Sequence, residues 1–312
     1  MASVTRQGGK AMDFGEFAAT ESINPAYNRI KELGLESHVF DIETYGFTVV
    51  PPEKVASREF FERARETVLR IARDRTGVDL QLDRNGSAGN IETVARSKHQ
   101  FLLFCLLSED PIFEEWVLNP TFITLADYFM RGQYQLSNLG SFLKWKGGPE
   151  SLGLHADGGT NQDGRMPSCG DVFNSVWTLT DYSLEHGAIA MVPGSHKLCR
   201  LPVEGEGEDI AVPVEAPEGS LILWHGNTWH GAYPKRTDGL RLNLTTYVCN
   251  KRLKPQEDFL ANVTQEMLDR NPVEFAHLVG ADDWMGWTDS QGPRYKYTRL
   301  NTPLGAINKN VY

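Results

Sequence analysis

The strongest constraint on the fold is a series of short strand-like runs in the second half of the chain. After Gln133, stretches rich in β-branched and aromatic residues alternate with clusters of Gly, Pro, Asp and Asn. Such runs, separated by turn signals, predict the short strands of a closed or double-sheet β architecture. The predicted strands are 134–145, 172–180, 188–192, 220–224 and 240–248. We therefore expect a mainly β fold.

The first half of the chain has a helical pattern instead. Apolar residues recur every three to four positions over 57–75, which is typical of an amphipathic helix. Asn-Pro and Asp-Pro pairs act as a cap followed by a first-turn proline and predict further short helices. These helices are 24–33, 112–118 and 121–131, and a strand over 46–50 and a helix over 254–270 complete the prediction. Helices are thus expected to flank the β core.

No stretch has the composition of a linker and no internal repeat is present, so we predict one domain over 1–312. It divides into a helical N-terminal part (about 20–132), a β core (about 133–250) and a helical and loop-forming C-terminal part (251–312). A chain of this size buries about three quarters of its unfolded surface, so its core needs no covalent staples.

Charge and hydropathy exclude several classes of function. The net charge is −10, from 31 Lys and Arg against 41 Asp and Glu, and an acidic surface repels nucleic-acid phosphates. The sequence has no membrane-length apolar run and no secretory signal, so we expect no membrane partner. The four cysteines lack metal-binding spacing and are expected to be reduced thiols of a cytoplasmic protein. A homodimer is compatible with these features.

The tripeptide His155-Ala156-Asp157 indicates a metal site. In an extended segment the side chains of residues i and i+2 project from the same face, so His155 and Asp157 can reach one ion. A histidine and a carboxylate are two of the three ligands of the facial triad that leaves open positions on Fe(II). Gly158 and Gly159 let the backbone turn beside such a site. By itself the tripeptide is equally compatible with a surface loop.

A third ligand is expected from a distant histidine on a neighbouring strand. The segment 219–234 offers two candidates, His225 and His230. Arg241 follows inside the alternating strand 240–248. If its side chain points inward it needs an anionic partner, because an unpaired buried charge is costly and a guanidinium fits a carboxylate. An outward-facing arginine on a solvated strand face is the alternative that strand alternation leaves open.

Taken in order, these motifs resemble the phytanoyl-CoA dioxygenase family of non-haem Fe(II)/2-oxoglutarate oxygenases. The resemblance rests on the HxD motif, SVWTLTDYSLEHGAIAMVPGSHK (175–197), GSLILWHGNTWHGAYP (219–234) and Arg241, and covers roughly 134–247. It implies a double-stranded β-helix (jelly-roll, cupin-like) core with iron at one open end. It also implies a metal triad of His155, Asp157 and His230, with Arg241 binding 2-oxoglutarate.

The resemblance assigns further residues. Trp177 falls where the family has a tryptophan facing the cosubstrate. Lys144 corresponds to a basic residue that some members use at the cosubstrate, although the neighbouring Lys146 leaves that alignment open. His225 matches a family histidine that is not a ligand. His186 departs from the pattern, because the family usually has Asn there, but it lies in a turn away from the chemistry.

The function implied is oxidation, most simply hydroxylation, of a small organic or natural-product substrate, with decarboxylation of 2-oxoglutarate to succinate and CO₂. The implied cofactors are Fe(II), 2-oxoglutarate and O₂. Asp157 disfavours halogenation, because related halogenases have a small residue there. Two other classes stay open: a zinc hydrolase with the same His₂Asp site, and a non-catalytic jelly-roll binding protein. Arg241 argues against the hydrolase, since hydrolysis needs no fixed cosubstrate carboxylate.

The substrate is expected above the metal, beside strand 134–143 and the loop 158–168. The length of the loop 158–170 suits a lid. Polar contacts from this region are predicted, with a solvated loop as the alternative; the candidates are Gln133, Gln135, Asn161 and Gln162. Trp284, Met285 and Trp287 form an aromatic cluster near the C-terminus, for which a core or interface role and a lid over the substrate are the two interpretations.

Overall fold

The computed structural model of this chain describes residues 23–80, 82, 99–158 and 164–281, and contains two antiparallel sheets flanked by helices. The strands are β1 Phe47–Val50, β2 Gln100–Leu103, β3 Tyr134–Lys144, β4 Val172–Thr178, β5 Ile189–Met191, β6 Val212–Val214, β7 Leu221–His225, β8 His230–Ala232 and β9 Arg241–Asn250. The larger sheet has the order β1-β7-β4-β9-β3-β2, and the smaller has the order β6-β5-β8. The prediction of a mainly β fold is confirmed.

The helices precede and follow the run of long strands. They are α1 Ile23–Glu32, α2 Glu36–Tyr45, α3 Arg58–Thr76, α4 Ile112–Val117, α5 Pro120–Met130, α6 Phe259–Asn262, α7 Gln265–Arg270 and α8 Val273–Leu278, with 3₁₀ turns at Pro52–Lys54 and Ser195–Leu198. Local sequence explains their starts. The Asn119 side chain accepts the backbone N–H groups of Thr121 and Phe122, at 3.0 and 3.1 Å, directly before Pro120.

The larger sheet separates two apolar cores because successive strand side chains point to opposite faces. On β7, Leu221 and Leu223 belong to the core shared with the helices, which also contains Phe61. Ile222 and Trp224 belong to a second core, shared with the smaller sheet. The face toward the smaller sheet is the one that carries the site described below.

The predicted helix 254–270 is wrong in its first part. No α-helix lies there before Phe259, because the preceding backbone is tied to β3. The Gln256 N–H donates to the Ser137 hydroxyl and the Glu257 N–H donates to the Ser137 carbonyl, at a β-bulge in β3. The sequence analysis also missed α2, α8, β2, β6 and β8. Among the helices of the described residues, none is long and apolar enough to cross a membrane.

Candidate metal centre

Three predicted ligands meet at one point between the sheets. One ligand atom each from His155, Asp157 and His230 lies within 4.8 Å of the other two. Asp157 lies between the histidines: its Oδ2 is 3.2 Å from Nε2 of His230 and its Oδ1 is 3.8 Å from Nε2 of His155. Atoms that share an octahedral ion through bonds of about 2.1 Å lie roughly 3 Å apart, so the group fits one metal ion.

The backbone brings the HxD segment to β8. His155 and His230 form an antiparallel bridge in which each N–H donates to the other's carbonyl, at 2.9 and 2.8 Å. The Asp157 N–H donates to the carbonyl of Gly226, at 2.9 Å, in the connection between β7 and β8. These bonds place both stretches side by side although they are far apart in sequence.

The two imidazoles are oriented as metal ligands. Nδ1 of His155 lies 2.9 Å from the Gly153 carbonyl, and Nδ1 of His230 lies 2.9 Å from the Thr228 carbonyl. Carbonyls only accept, so each Nδ1 carries a proton, and in a neutral ring Nε2 presents a lone pair. Two lone pairs then face the Asp157 carboxylate, and this arrangement of electron donors is stabilised by a cation between them.

The protonation states agree with metal binding. Burial, followed by the charge of His230, lowers the pKa of His155, so its ring is neutral near pH 7. Burial alone would raise the pKa of Asp157, but the neighbouring His230, His155 and Asn174 lower it. A neutral histidine and an ionised carboxylate are the forms that bind metals.

Two residues that the sequence analysis missed hold Asp157. The Asn174 side-chain amide donates to Oδ2 of Asp157, at 2.8 Å, and the Tyr247 hydroxyl donates to its backbone carbonyl, at 3.1 Å. A signal was present for Asn174, because it is an amide in a strand, 172–178, in which every residue is buried.

Arg241 faces inward and lines the same cavity as the three predicted ligands. It is 4 % exposed, its guanidinium lies 4.6 Å from the Tyr182 ring centroid, and it donates to the Gly187 carbonyl. Its Nε has no hydrogen-bond partner, and no carboxylate of the described residues forms an ion pair with it. The outward-facing alternative is therefore wrong, and a buried cation is left without a protein anion.

Lys144 lies opposite Arg241 in the β3–β9 pairing but is not among the residues that line the cavity. Its amine donates to the Tyr233 carbonyl, at 2.6 Å. Burial, with the charges of Arg241 and Lys235, lowers the pKa of Lys144 to about 7. Lys144 therefore lies beside Arg241 but outside the cavity lining, and its contact with a cosubstrate stays a prediction.

Trp177, which the resemblance places at the cosubstrate, does not line this cavity, and its contact with a cosubstrate stays a prediction. Asn174 and Val176 of β4 line the cavity, whereas Trp177 alternates to the opposite face. Its ring lies 3.9 Å from that of Trp116 in the helix-side core. Trp224, paired with Asn174 across β4 and β7, is the tryptophan at the metal, 5.2 Å from the His230 ring.

His225, the alternative third ligand, lines a different cavity with His196. Its Nδ1 accepts the Asn227 N–H, at 3.1 Å, so its orientation is unlike that of the two predicted ligands. Burial, followed by the nearby His196, lowers the pKa of His225 to about 4. It is not part of the three-residue cluster.

The predicted substrate contacts fall elsewhere or outside the description. Gln133 is exposed, and the Gln135 amide donates to the Leu253 carbonyl, at 2.8 Å; neither lines the cavity above the ligands. That cavity has a volume of about 450 Å³. Residues 159–163 of the predicted lid, with Asn161 and Gln162, lie outside the described residues, as do Trp284, Met285 and Trp287.

The fold and the two-histidine, one-carboxylate cluster define a class of metal-binding β protein, and comparison with known families specifies it. The family model "Phytanoyl-CoA dioxygenase (PhyH)" matches residues 42–243, so the chain belongs to that family and the resemblance is confirmed. Dioxygenase af480 of Aspergillus fumigatus is 29 % identical over 182 residues, 57 % of either chain. Dioxygenase cdmA of Talaromyces verruculosus is 27 % identical over 173 residues, 53 % of this chain and 54 % of the relative. The chain thus spans about half the length of these curated relatives.

Solved structures give the same fold. HygX from Streptomyces hygroscopicus, crystallised with nickel and 2-oxoglutarate bound, superposes with a TM-score of 0.54 at 17 % identity, covering 76 % of this chain and 94 % of HygX. Its iron-bound form superposes with a TM-score of 0.52 at 19 % identity. The jelly-roll core with flanking helices is confirmed, and the two sheets do not form a closed barrel within the described residues.

Proposed function

We propose that this protein is an Fe(II)/2-oxoglutarate-dependent dioxygenase that oxidises, most simply hydroxylates, a small organic substrate. The observation that carries the proposal is the convergence of His155, Asp157 and His230 in a cavity whose other charged residue is the unpaired Arg241. Membership of the phytanoyl-CoA dioxygenase family supports it. A bound iron would supply O₂ activation coupled to decarboxylation of 2-oxoglutarate to succinate and CO₂.

Each residue then has a defined task. His155 and His230 would hold the ion through Nε2 while each Nδ1–H donates to a backbone carbonyl, and Asp157 would supply the single negative charge. Asn174 keeps the carboxylate oriented. Arg241 would pair with the distal carboxylate of bound 2-oxoglutarate.

The buried state of Arg241 favours this function over a zinc hydrolase. A hydrolytic site needs a metal-bound water but no fixed anion at this position. A cation that is 4 % exposed and has no carboxylate partner among the described residues destabilises the fold unless an anion binds it. A dicarboxylate cosubstrate meets that requirement, and a non-catalytic binding role leaves it unexplained.

The setting of the enzyme is part of the same proposal. We place it in the cytoplasm as one domain over 1–312, acting on a small molecule without nucleic-acid or membrane partners, as a monomer or homodimer. The free thiols of all four cysteines agree with a reducing compartment.

Succinate formation tests the proposal. The full chain, loaded anaerobically with Fe(II) and 2-oxoglutarate, should bind both and release succinate after O₂ is admitted. Asp157→Ala should abolish this turnover, whereas Asp209→Ala, at an exposed aspartate outside the cavity, should leave it unchanged. Full succinate formation by Asp157→Ala, or hydrolytic activity with zinc and no affinity for 2-oxoglutarate, would refute it.

A further inference from the structure

The wall of the metal cavity is uncharged. Apart from the three proposed ligands and Arg241, every described residue that lines it is apolar, a hydroxyl residue or an amide. Arg241 is assigned to the cosubstrate under the proposed function, so no charged side chain of the described wall is left for the substrate. A charged substrate group entering this cavity would lose hydration without an ionic partner, which is costly.

The mouth of the cavity is lined by aromatic rings. Phe104, directly after β2, is 39 % exposed, and Phe142 of β3 is partly buried beside the cavity. Exposed aromatic surface at the rim of a cavity is a favourable contact for the hydrocarbon part of a ligand. A cavity of about 450 Å³ is in the size range of drug-sized molecules.

Two glutamines add polar side chains to this mouth, beyond the unpartnered Oγ1 of Thr246 deeper in the wall. Gln100 and Gln256 line the cavity, and their side-chain amides have no hydrogen-bond partner among the described residues. The amides of Asn138 and Asn243 are instead committed to Glu257 and to the Tyr182 hydroxyl, both within 2.8 Å. An amide both donates and accepts, which suits the hydroxyl and carbonyl groups of a neutral ligand.

The backbone at Gln256 is held in place by hydrogen bonds of the neighbouring Glu257. Oε1 of Glu257 accepts the Cys105 N–H at 3.0 Å, the Leu139 N–H at 3.2 Å and the Asn138 amide at 2.8 Å. Each bond anchors a segment next to a lining residue, so Gln256, Phe104 and Asn138 are held together. A preorganised wall of this kind selects its ligand by shape and hydrogen bonding rather than by adapting to it.

We propose that the substrate is an uncharged hydrocarbon that carries hydroxyl or carbonyl groups, and that Gln100 and Gln256 help to select it. The inference rests on the proposed function because it assigns Arg241 to the cosubstrate. Acyl-CoA thioesters, free acids and amines fit the described part of this wall less well, since none of its charged side chains is left to pair with them.

Matched probes test this inference. Calorimetry on the full chain, with 2-oxoglutarate present, compares hydrocortisone with hydrocortisone 21-hemisuccinate, and methyl abietate with abietic acid. We expect the neutral member of each pair to bind at least about tenfold more tightly, and Gln100→Glu and Gln256→Glu each to weaken hydrocortisone binding roughly 3- to 10-fold. Gln133→Glu, at an exposed position outside the cavity, is the control and should change nothing.

The outcomes separate this inference from the proposed function. Tighter or equal binding of the acids, binding of neither member, or an equal effect of Gln133→Glu would overturn the inference. Thermal melts of the glutamine variants show whether they are folded, so that weaker binding can be distinguished from unfolding. The preference for neutral probes should persist in Asp157→Ala, which loses the metal; if it does while the wild type never forms succinate, only the proposed function fails.

Discussion

Two pairs of histidines line two cavities of this protein, and they differ in every respect that matters for metal binding. His155 and His230, with ring centroids 4.3 Å apart, share the smaller cavity with Asp157. His196 and His225, 5.5 Å apart, line a larger cavity of about 620 Å³. The larger cavity is therefore not the one with the better ligand set, and the convergence of lone pairs, rather than volume, identifies the metal centre.

The environments of the two pairs explain the difference. Asp157 lies between the first two rings and both Nδ1 atoms donate to carbonyls, so both Nε2 atoms face a carboxylate. Among the described residues no carboxylate forms a ligand cluster with the second pair, and Nδ1 of His225 accepts a backbone N–H. The second pair is best described as neutral, buried imidazoles that contribute to packing.

The largest expected effect is the difference in metal affinity between two single variants, one in each histidine pair. His230→Gln should weaken Fe(II) or Co(II) binding by at least about 1,000-fold, more than the 10- to 100-fold typical of outer-shell changes. His225→Gln, whose amide can still accept the Asn227 N–H, should leave metal affinity unchanged. Anaerobic metal titration of both variants checks this. Equal losses would show that the two pairs are not distinct.

The second expected effect is on stability as a function of pH. Because burial lowers the pKa of His225 to about 4 from an ordinary value of 6.5, the unfolded chain binds more protons between these values. The contribution of His225 to the free energy of unfolding is thus complete above pH 6.5. It decreases by up to about 3 kcal/mol as the pH falls toward 4.

Urea unfolding of the wild type and His225→Gln across that pH range measures the contribution. The wild type should lose more stability than the variant on acidification, and the two should respond alike above pH 7. Burial also lowers the pKa of His38 and His196, which remain in both proteins, so the difference isolates His225. Parallel pH profiles would contradict the neutral, buried assignment.

The smallest effect concerns the residue that orients the carboxylate of the first pair. Asn174→Leu removes the donor to Oδ2 of Asp157 while keeping a side chain of similar size. We expect metal affinity to fall by about 10-fold, with an unchanged fold. Metal titration together with a thermal melt measures both. Ser175→Ala, on the same strand but without a bond to Asp157, serves as control, and a matching loss there would remove the special role of Asn174.

Much of the architecture was predictable from the sequence. The strands beginning at 134, 172, 221 and 241 and the helix over 58–76 follow from local patterns of apolar residues, turn residues and caps. The helix over 254–270 was mispredicted at its start because its periodicity competes with hydrogen bonds to the β3 bulge, which a local pattern cannot reveal.

The candidate site was also predictable from the sequence only in part. Spacing and chemistry alone indicated His155, Asp157 and Arg241 and left His225 and His230 as candidates, and the family resemblance implied His230. Which residues surround these four depends on which side chains of each strand point to the same face of the sheet. This alternation places Trp177 against Trp116 on one face and brings Asn174 and Trp224 to the face with the predicted ligands.

The sequence by itself therefore determined the donor types, their order and the class of β fold, since these depend on residue chemistry and local periodicity. Only the tertiary structure decided between His225 and His230, turned Arg241 inward without a protein anion, and placed Gln100 and Gln256 at one mouth. These are contacts between segments far apart in the chain, fixed by pairing register and strand alternation, which no short window of sequence contains.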